Sequence, residues 1–213
     1  LKKLCCAIIA LLIINQPLKA DCNEPNSAHE QSQTTWETAI KDPNNPNELL
    51  QVKCDAVLKV LQVKDLDKKT KADILDKIIG PFFDFELMSK LSLGKANWNK
   101  LTAGEQKKFT ELFAKRLKNA YLDQITRYSN EKLLLKPAEP QKNGVSITMD
   151  VLSGEKKITT VYKVRHIGTQ WMVYDVEIEG VSILMTYKAQ FDDILKRGGV
   201  KDLFSQLEQP QTK

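Results

Sequence analysis

Histidine is nearly absent from this chain: its 213 residues contain two, His29 and His166. Cysteine is scarce as well, four in all, with Cys22 and Cys54 far apart and Cys5 and Cys6 near the start. With no cysteine pair beside a histidine pair and no Asp-rich calcium loop, nothing has metal-ligand spacing. Nine glycines are scattered and form neither a phosphate-cradling loop nor a dinucleotide fingerprint. A net charge of +5 falls short of the strongly basic face of a nucleic-acid binder. The longest apolar run, Leu4 to Ile14, is too short for a bilayer core that takes about 20 helical residues.

That short run has another use. Leu1-Lys2-Lys3 precedes it and Pro17-Leu18-Lys19-Ala20 follows it, the order of a basic, an apolar and a small-residue region in a secretory signal peptide. Residues 1–20 are expected to be removed after Ala20, giving an exported protein. Lys19 and Asp21 beside Cys22 argue against a lipid-attachment box. Cleavage takes Lys2, Lys3 and Lys19 with it and leaves a small basic excess. The remainder suits one domain. Cys22 and Cys54 could close a loop of roughly 32 residues worth about 3–4 kcal/mol. Cys54 also falls on the stripe Leu50, Cys54, Val57, Leu58, Leu61, where a small core thiol fits equally well.

Residues 21–45 are rich in Asn, Gln, Ser, Thr and Pro and read as a flexible leader. The domain is expected over 46–208, with 209–213 as a tail. Asn47 is read as the cap of a first helix to about Val63, and Asp67 as the start of a second that stops at Gly80-Pro81. Asp84 caps a short helix closed by Gly94. Thr102 and Glu105 form a capping box for the clearest periodic element, whose apolar face is Phe109, Leu112, Phe113, Leu117, Ala120, Tyr121 and Ile125.

After Asn130 the period becomes two. Leu133 and Leu135 hint at one strand, Val145 to Val151 mark a second, and Ile158, Tyr162 and Val164 share one face of a third. In the fourth, Trp171 to Glu179, alternation puts Met172, Tyr174, Val176 and Ile178 on one face, with Val173, Asp175 and Glu177 on the other. Short turns imply an antiparallel meander. Two helices close the chain, Leu184 to Arg197 and Val200 to Leu207, so the fold class is α+β.

Catalysis has little to work with. Gly180-Val181-Ser182 stands at a strand-to-helix turn, but a nucleophile elbow needs Gly two residues after Ser, where this chain has Leu184. A turn glycine followed by a capping serine is the simpler reading. An enzyme would have to use His166, or a buried carboxylate such as Asp175, at a cavity floor. An adaptor would have a filled core and bind proteins alone. The inward-facing apolar positions are Phe82, Phe83, Leu87, Phe113, Leu117, Tyr121, Ile147, Met149, Tyr162, Tyr174, Val176, Met185 and Phe191. Spacing leaves both uses open for them, packed core or cavity wall.

The run Trp171-Met172-Val173-Tyr174-Asp175-Val176-Glu177-Ile178-Glu179-Gly180-Val181-Ser182 is the most distinctive stretch. It comes after Gly80-Pro81-x-x-Asp84-Phe85, Leu93-Gly94 with Trp98, the helix start Leu101-Thr102 to Gln106, and Phe113, Leu117 and Tyr121; Tyr187-x-x-x-Phe191 follows it. In this order the chain resembles the MlaC, or toluene-tolerance, family of periplasmic phospholipid-binding proteins, from about Asn47 to Leu207. The resemblance implies N-terminal helices on a curved antiparallel sheet of about four strands, an NTF2-like cone, with C-terminal helices and an apolar cavity. It further implies a glycerophospholipid ligand held by its acyl chains, with the headgroup near the surface and no cofactor. The implied partners are an outer-membrane MlaA–porin complex and an inner-membrane MCE-protein ring with an ABC transporter, in a pathway that maintains outer-membrane lipid asymmetry.

Overall fold

The structure is a computed structural model that describes residues 42, 44–125 and 131–209, with backbone alone for 121–125. All belong to the unit Ile40–Lys213. The signal-peptide and leader readings, with Cys22, lie outside the described residues. Among the described residues no helix is long and apolar enough to cross a membrane.

Polar side chains start each early helix. Helix α1 (Pro46–Gln62) begins at Asn45, whose Oδ1 accepts from the backbone N–H groups of Asn47 and Glu48, with Pro46 in the first turn. The expected cap was Asn47, two residues later. Pro46 explains the shift, because a proline is accommodated in the first turn, where its missing N–H costs nothing. Asn47 is thereby free for another task, described below. Asp67 caps α2 (Lys68–Ile79). A 3₁₀ turn (Gly80–Phe82) follows. Asp84 then caps α3 (Phe85–Leu93), which ends at Gly94 with a φ of 77°. After the short α4 (Lys95–Trp98), the Thr102–Glu105 capping box opens α5 (Ala103–Ile125): Glu105 Oε2 accepts from Thr102 N and Thr102 Oγ1 accepts from Glu105 N.

The sheet contains β1 (Lys132–Leu135), β2 (Glu139–Gln141), β3 (Gly144–Ser153), β4 (Lys156–Ile167), β5 (Gln170–Ile178) and β6 (Val181–Ser182), all pairing antiparallel. The four strands expected from alternation are β1, β3, β4 and β5, in the spatial order of a meander. The two others are too short to show a period. Strands β1 and β2 both pair with β3, at its two ends, and Pro137 separates them. Asn47 repairs that break: its Nδ2 donates to Lys136 O at 2.7 Å and its Oδ1 accepts from Ala138 N at 2.7 Å. One side-chain amide thus satisfies the backbone groups on either side of a residue that cannot continue a ladder. The last helix, α6 (Ile183–Glu208), is broken at Gly199, whose φ of 73° interrupts the helical geometry. This is where the sequence placed the boundary between two helices.

Two apolar cores result. The helical one packs Phe109, Phe113, Tyr187 and Phe191 against one another with ring centroids 5.0–5.8 Å apart, four of the five contacts edge-to-face or tilted. Met88, Leu93, Trp98, Leu101, Leu117, Leu184, Leu203 and Leu207 complete it. The second lies on one face of the sheet, around Leu50, Phe82, Ile147, Val164, Val173 and Val176. Phe83 and Ile183 touch both. An ion pair binds helices to sheet: Arg165 donates from Nη2 (2.6 Å) and Nε (3.0 Å) to the largely buried Asp84.

Replacing Asn47 with Ala removes two hydrogen bonds and leaves Lys136 O and Ala138 N without that partner. The expected loss is about 1–3 kcal/mol, read as a lower urea midpoint, with faster amide exchange at Ala138.

Candidate functional site

Register assigns the site face. Across β1, β3, β4 and β5 the partners run Leu133–Val151–Ile158, Leu135–Met149–Thr160–Ile178, Ile147–Tyr162–Val176 and Val145–Val164–Val173. Every position is apolar except Thr160 and Tyr162. The opposite face carries Thr148, Asp150, Thr159, Lys163, Arg165, Asp175 and Glu177. A sheet with one face this apolar must bury it or fill it.

Only part is buried by packing. At one end Ile147, Val164 and Val173 have no accessible surface, because Leu49, Leu50 and Cys54 of α1, with Phe82 and Phe83, lie on them. Asn44 O accepts from Trp171 Nε1 at 2.8 Å, and Asn47 bridges the β1–β2 break, so the start of α1 is tied to both sides of that end. Toward the other end Leu133, Val151, Ile158 and Ile178 are half-buried, as is Tyr162 in the middle. Apolar character continues while cover thins.

Two titratable groups mark the depth of this space. Burial pushes the Cys54 thiol up to about 12, with a smaller contribution from Asp55. It pushes the Tyr162 phenol well above its ordinary range, with Cys54 adding to the effect. Both residues nevertheless keep accessible surface. The Cys54 thiol faces Met149, Sγ to Sδ 3.8 Å.

The sequence-derived positions separate into four places. Phe82, Phe83, Ile147, Met149, Tyr162 and Val176 lie on or against the inner face. Phe113, Leu117 and Phe191 are buried in the helical core instead. Leu87 and Tyr174 border a second cleft of about 510 Å³, with Leu91, Asn143, Gly144, Arg165, His166 and Trp171. Met185, expected inward, is 63% exposed: it follows the buried Leu184 in the first turn of α6 and points the other way. The backbone of Tyr121 is in α5, but its side chain lies outside the described residues.

The misplacement of Tyr174 has a definite cause. Between Lys163 and Val164 the β4–β5 register shifts, with Lys163 opposite Asp175 and Val164 opposite Val173. Tyr174 is the extra residue of a β-bulge, which resets the alternation. Val173 therefore faces inward with Val176, and Met172 stands opposite Arg165 on the outer face, the reverse of strict period two. Simple alternation does mark Leu133, Leu135, Val145, Val151, Ile158, Val164 and Ile178, inner-face residues missing from the sequence-derived set; no sequence signal marks Val173.

The suspected catalytic groups are otherwise engaged. Ser182 donates from Oγ to Asp175 (2.9 Å) and accepts from Met185 N (3.1 Å), capping α6. Asp175 also receives Lys163 Nζ at 3.2 Å. His166 is exposed, with its ring edge-to-face on Trp171 at 4.7 Å between centroids. Gly180, with a φ of 77°, makes the turn before Ser182. Among the described residues no group of three His, Cys, Asp or Glu could hold a metal ion.

Comparison with known proteins gives this arrangement relatives. The structure matches that of a phospholipid-binding protein from Ralstonia solanacearum, determined in complex with a phospholipid, with a TM-score of 0.70, 25% identity, and coverage of 77% of this chain and 95% of the other. The intermembrane phospholipid transport system binding protein MlaC of Haemophilus influenzae is 26% identical over 183 residues, 81% of this chain and 84% of that protein. Toluene tolerance protein ttg2D of Pseudomonas putida is 28% identical over 129 residues, and the alignment spans 60% of either chain. The family model described as MlaC protein matches residues 51–209, from the first helix through the sheet to the end of the last helix, and by that match this chain belongs to the MlaC family.

Proposed function

We propose that this protein is a periplasmic phospholipid carrier, exported by the signal peptide at residues 1–20. It would shuttle glycerophospholipid between an outer-membrane MlaA–porin complex and an inner-membrane MCE-protein/ABC transporter complex, maintaining outer-membrane lipid asymmetry. One observation carries the reading: the sheet's inner face is apolar but for Thr160 and Tyr162, and while Ile147, Val164 and Val173 are sealed, Leu133, Val151, Ile158 and Ile178 toward the other end stay half-buried. The wall comprises Ile147, Met149, Tyr162 and Val176, closed by Phe82 and Phe83 and extended by Leu133, Val151 and Ile158. Phe113, Leu117 and Phe191 support it from the helical core.

The energetics require such a cover. Two acyl chains carry roughly 30 methylenes, so their exposure to water costs on the order of 24 kcal/mol at about 0.8 kcal/mol each. A lipid cannot cross an aqueous gap against that barrier, and a carrier has to enclose nearly the whole tail. The work is transfer between apolar surroundings, with no bond made or broken and no cofactor. Relatives named for phospholipid binding or transport support the same reading.

Protein purified without detergent and then denatured should release about one lipid per chain, identified by mass spectrometry; a folded protein free of lipid would overturn the proposal. Val151→Glu and Ile158→Lys should lose bound lipid while their thermal midpoints stay close to that of the parent protein. Met185→Glu should keep its lipid. Cys54 offers a third readout. Because its folded pKa is raised to about 12 from an ordinary 9.0, the thiol is neutral at pH 8. In a lipid-free Cys22→Ser variant, maleimide labelling of Cys54 should be slow there and rise steadily as the pH is raised. Bound lipid should suppress it further.

A further inference from the structure

Thr160 and Tyr162 are the hydroxyl-bearing side chains of the sheet's inner face. Tyr162 occupies its centre, paired with Ile147 on β3 and Val176 on β5, both buried, and its ring packs on the inner core. Among the described residues nothing hydrogen-bonds to the Tyr162 oxygen. Nor is that oxygen one of the sealed, unpaired side-chain atoms, which are Ser89 Oγ and Arg116 Nε. An unpaired oxygen that is not sealed opens onto space, here beside the inner face, where Tyr162 stands between the buried Ile147 and Val176 and burial raises the pKa of its phenol. Tyr162 Oη is thus a neutral, unpaired donor on an apolar face. The adjacent thiol is turned to Met149.

A donor in such a place gains a partner from a ligand that brings an acceptor. A glycerophospholipid offers two kinds of acceptor there, phosphate oxygens and acyl ester carbonyls. The phosphate is charged, and among the described residues the sheet's inner face has no Lys or Arg to meet it, while the buried Lys53 of α1 lies over the Phe82 ring and donates to Ile78 O at 3.1 Å. The ester carbonyl is neutral and stands at the head of the chain that the apolar wall takes up. We propose that Tyr162 donates a hydrogen bond to an acyl ester carbonyl of the bound lipid, so that the cavity prefers ester-linked to ether-linked glycerophospholipids. This rests on the carrier reading above.

The test is lipid uptake by lipid-free protein from vesicles holding equal amounts of a diacyl phosphatidylglycerol and its dialkyl ether analogue of matched chain length, with the bound pair quantified by mass spectrometry. The parent protein should take up the ester form about fivefold more, the worth of one neutral hydrogen bond. Tyr162→Phe, which keeps the ring, should take up both about equally. Equal uptake by the parent protein would overturn the proposal and leave the carrier reading standing. A preference that survives in Tyr162→Phe would overturn the assignment to Tyr162. Retention of neither lipid by the parent protein would overturn the carrier reading and the proposal with it.

Discussion

A single extra residue in β5 lets one strand serve two incompatible demands. Before the bulge the inner face receives Val173; after it, Val176 and Ile178. With strict alternation from Val173, Asp175 would face inward, and a buried carboxylate in an apolar wall is among the costliest placements a fold can make. The bulge sends Asp175 outward, where Lys163 and Ser182 meet it. Ser182 then caps α6, whose Tyr187 and Phe191 anchor the helical core. The continuity of the apolar wall, the turn at Gly180 and the seating of the last helix all depend on Tyr174 being looped out.

Two cores divide the labour that the proposed function sets in conflict. A cavity in a single core would cost stability with every methylene left uncovered, at about 25 cal/mol per Å². Here the aromatic cluster of α5 and α6 is fully packed, with Phe109 and Phe113 at zero accessibility. The sheet's inner face is free to remain half-covered because the helical core holds the fold. Phe83 and Ile183 contact both cores and couple them.

Much of this was legible in residue order. Caps at Asp67, Asp84 and Thr102 lie where the pattern put them, since a cap depends on residues three apart and little else. The strands β1, β3, β4 and β5 are legible for the same reason, because one-sided burial imposes a period of two. What escaped is non-local. Pro46 moved the first cap to Asn45 and released Asn47 to a partner 89 to 91 positions away. Nothing within β5 announces its bulge, which exists only relative to β4. Phe113 and Phe191 are apolar like any cavity residue, and only the packing of α5 against α6 assigns them to a filled core. The wording around Trp171–Ser182 pointed to the family, but it could not say which side chains of β5 face the inner core.

For the carrier proposed above, release poses the harder physical question. The titratable groups on the proposed wall, Cys54 and Tyr162, are a thiol and a phenol whose pKa values burial raises further, so acidification has no charge there to switch. The apolar contact is nearly as favourable at one point along a chain as at the next. Discharge therefore has to come from moving the cover. The structure concentrates that cover in α1, whose start is held by polar ties: Asn44 to Trp171, and Asn47 to the β1–β2 break. Exposed hydrogen bonds of this kind are worth about 0.5–1.5 kcal/mol each, which a docking partner can offset. The apolar wall would then supply the affinity, and these ties would set how much a partner must do to reach it.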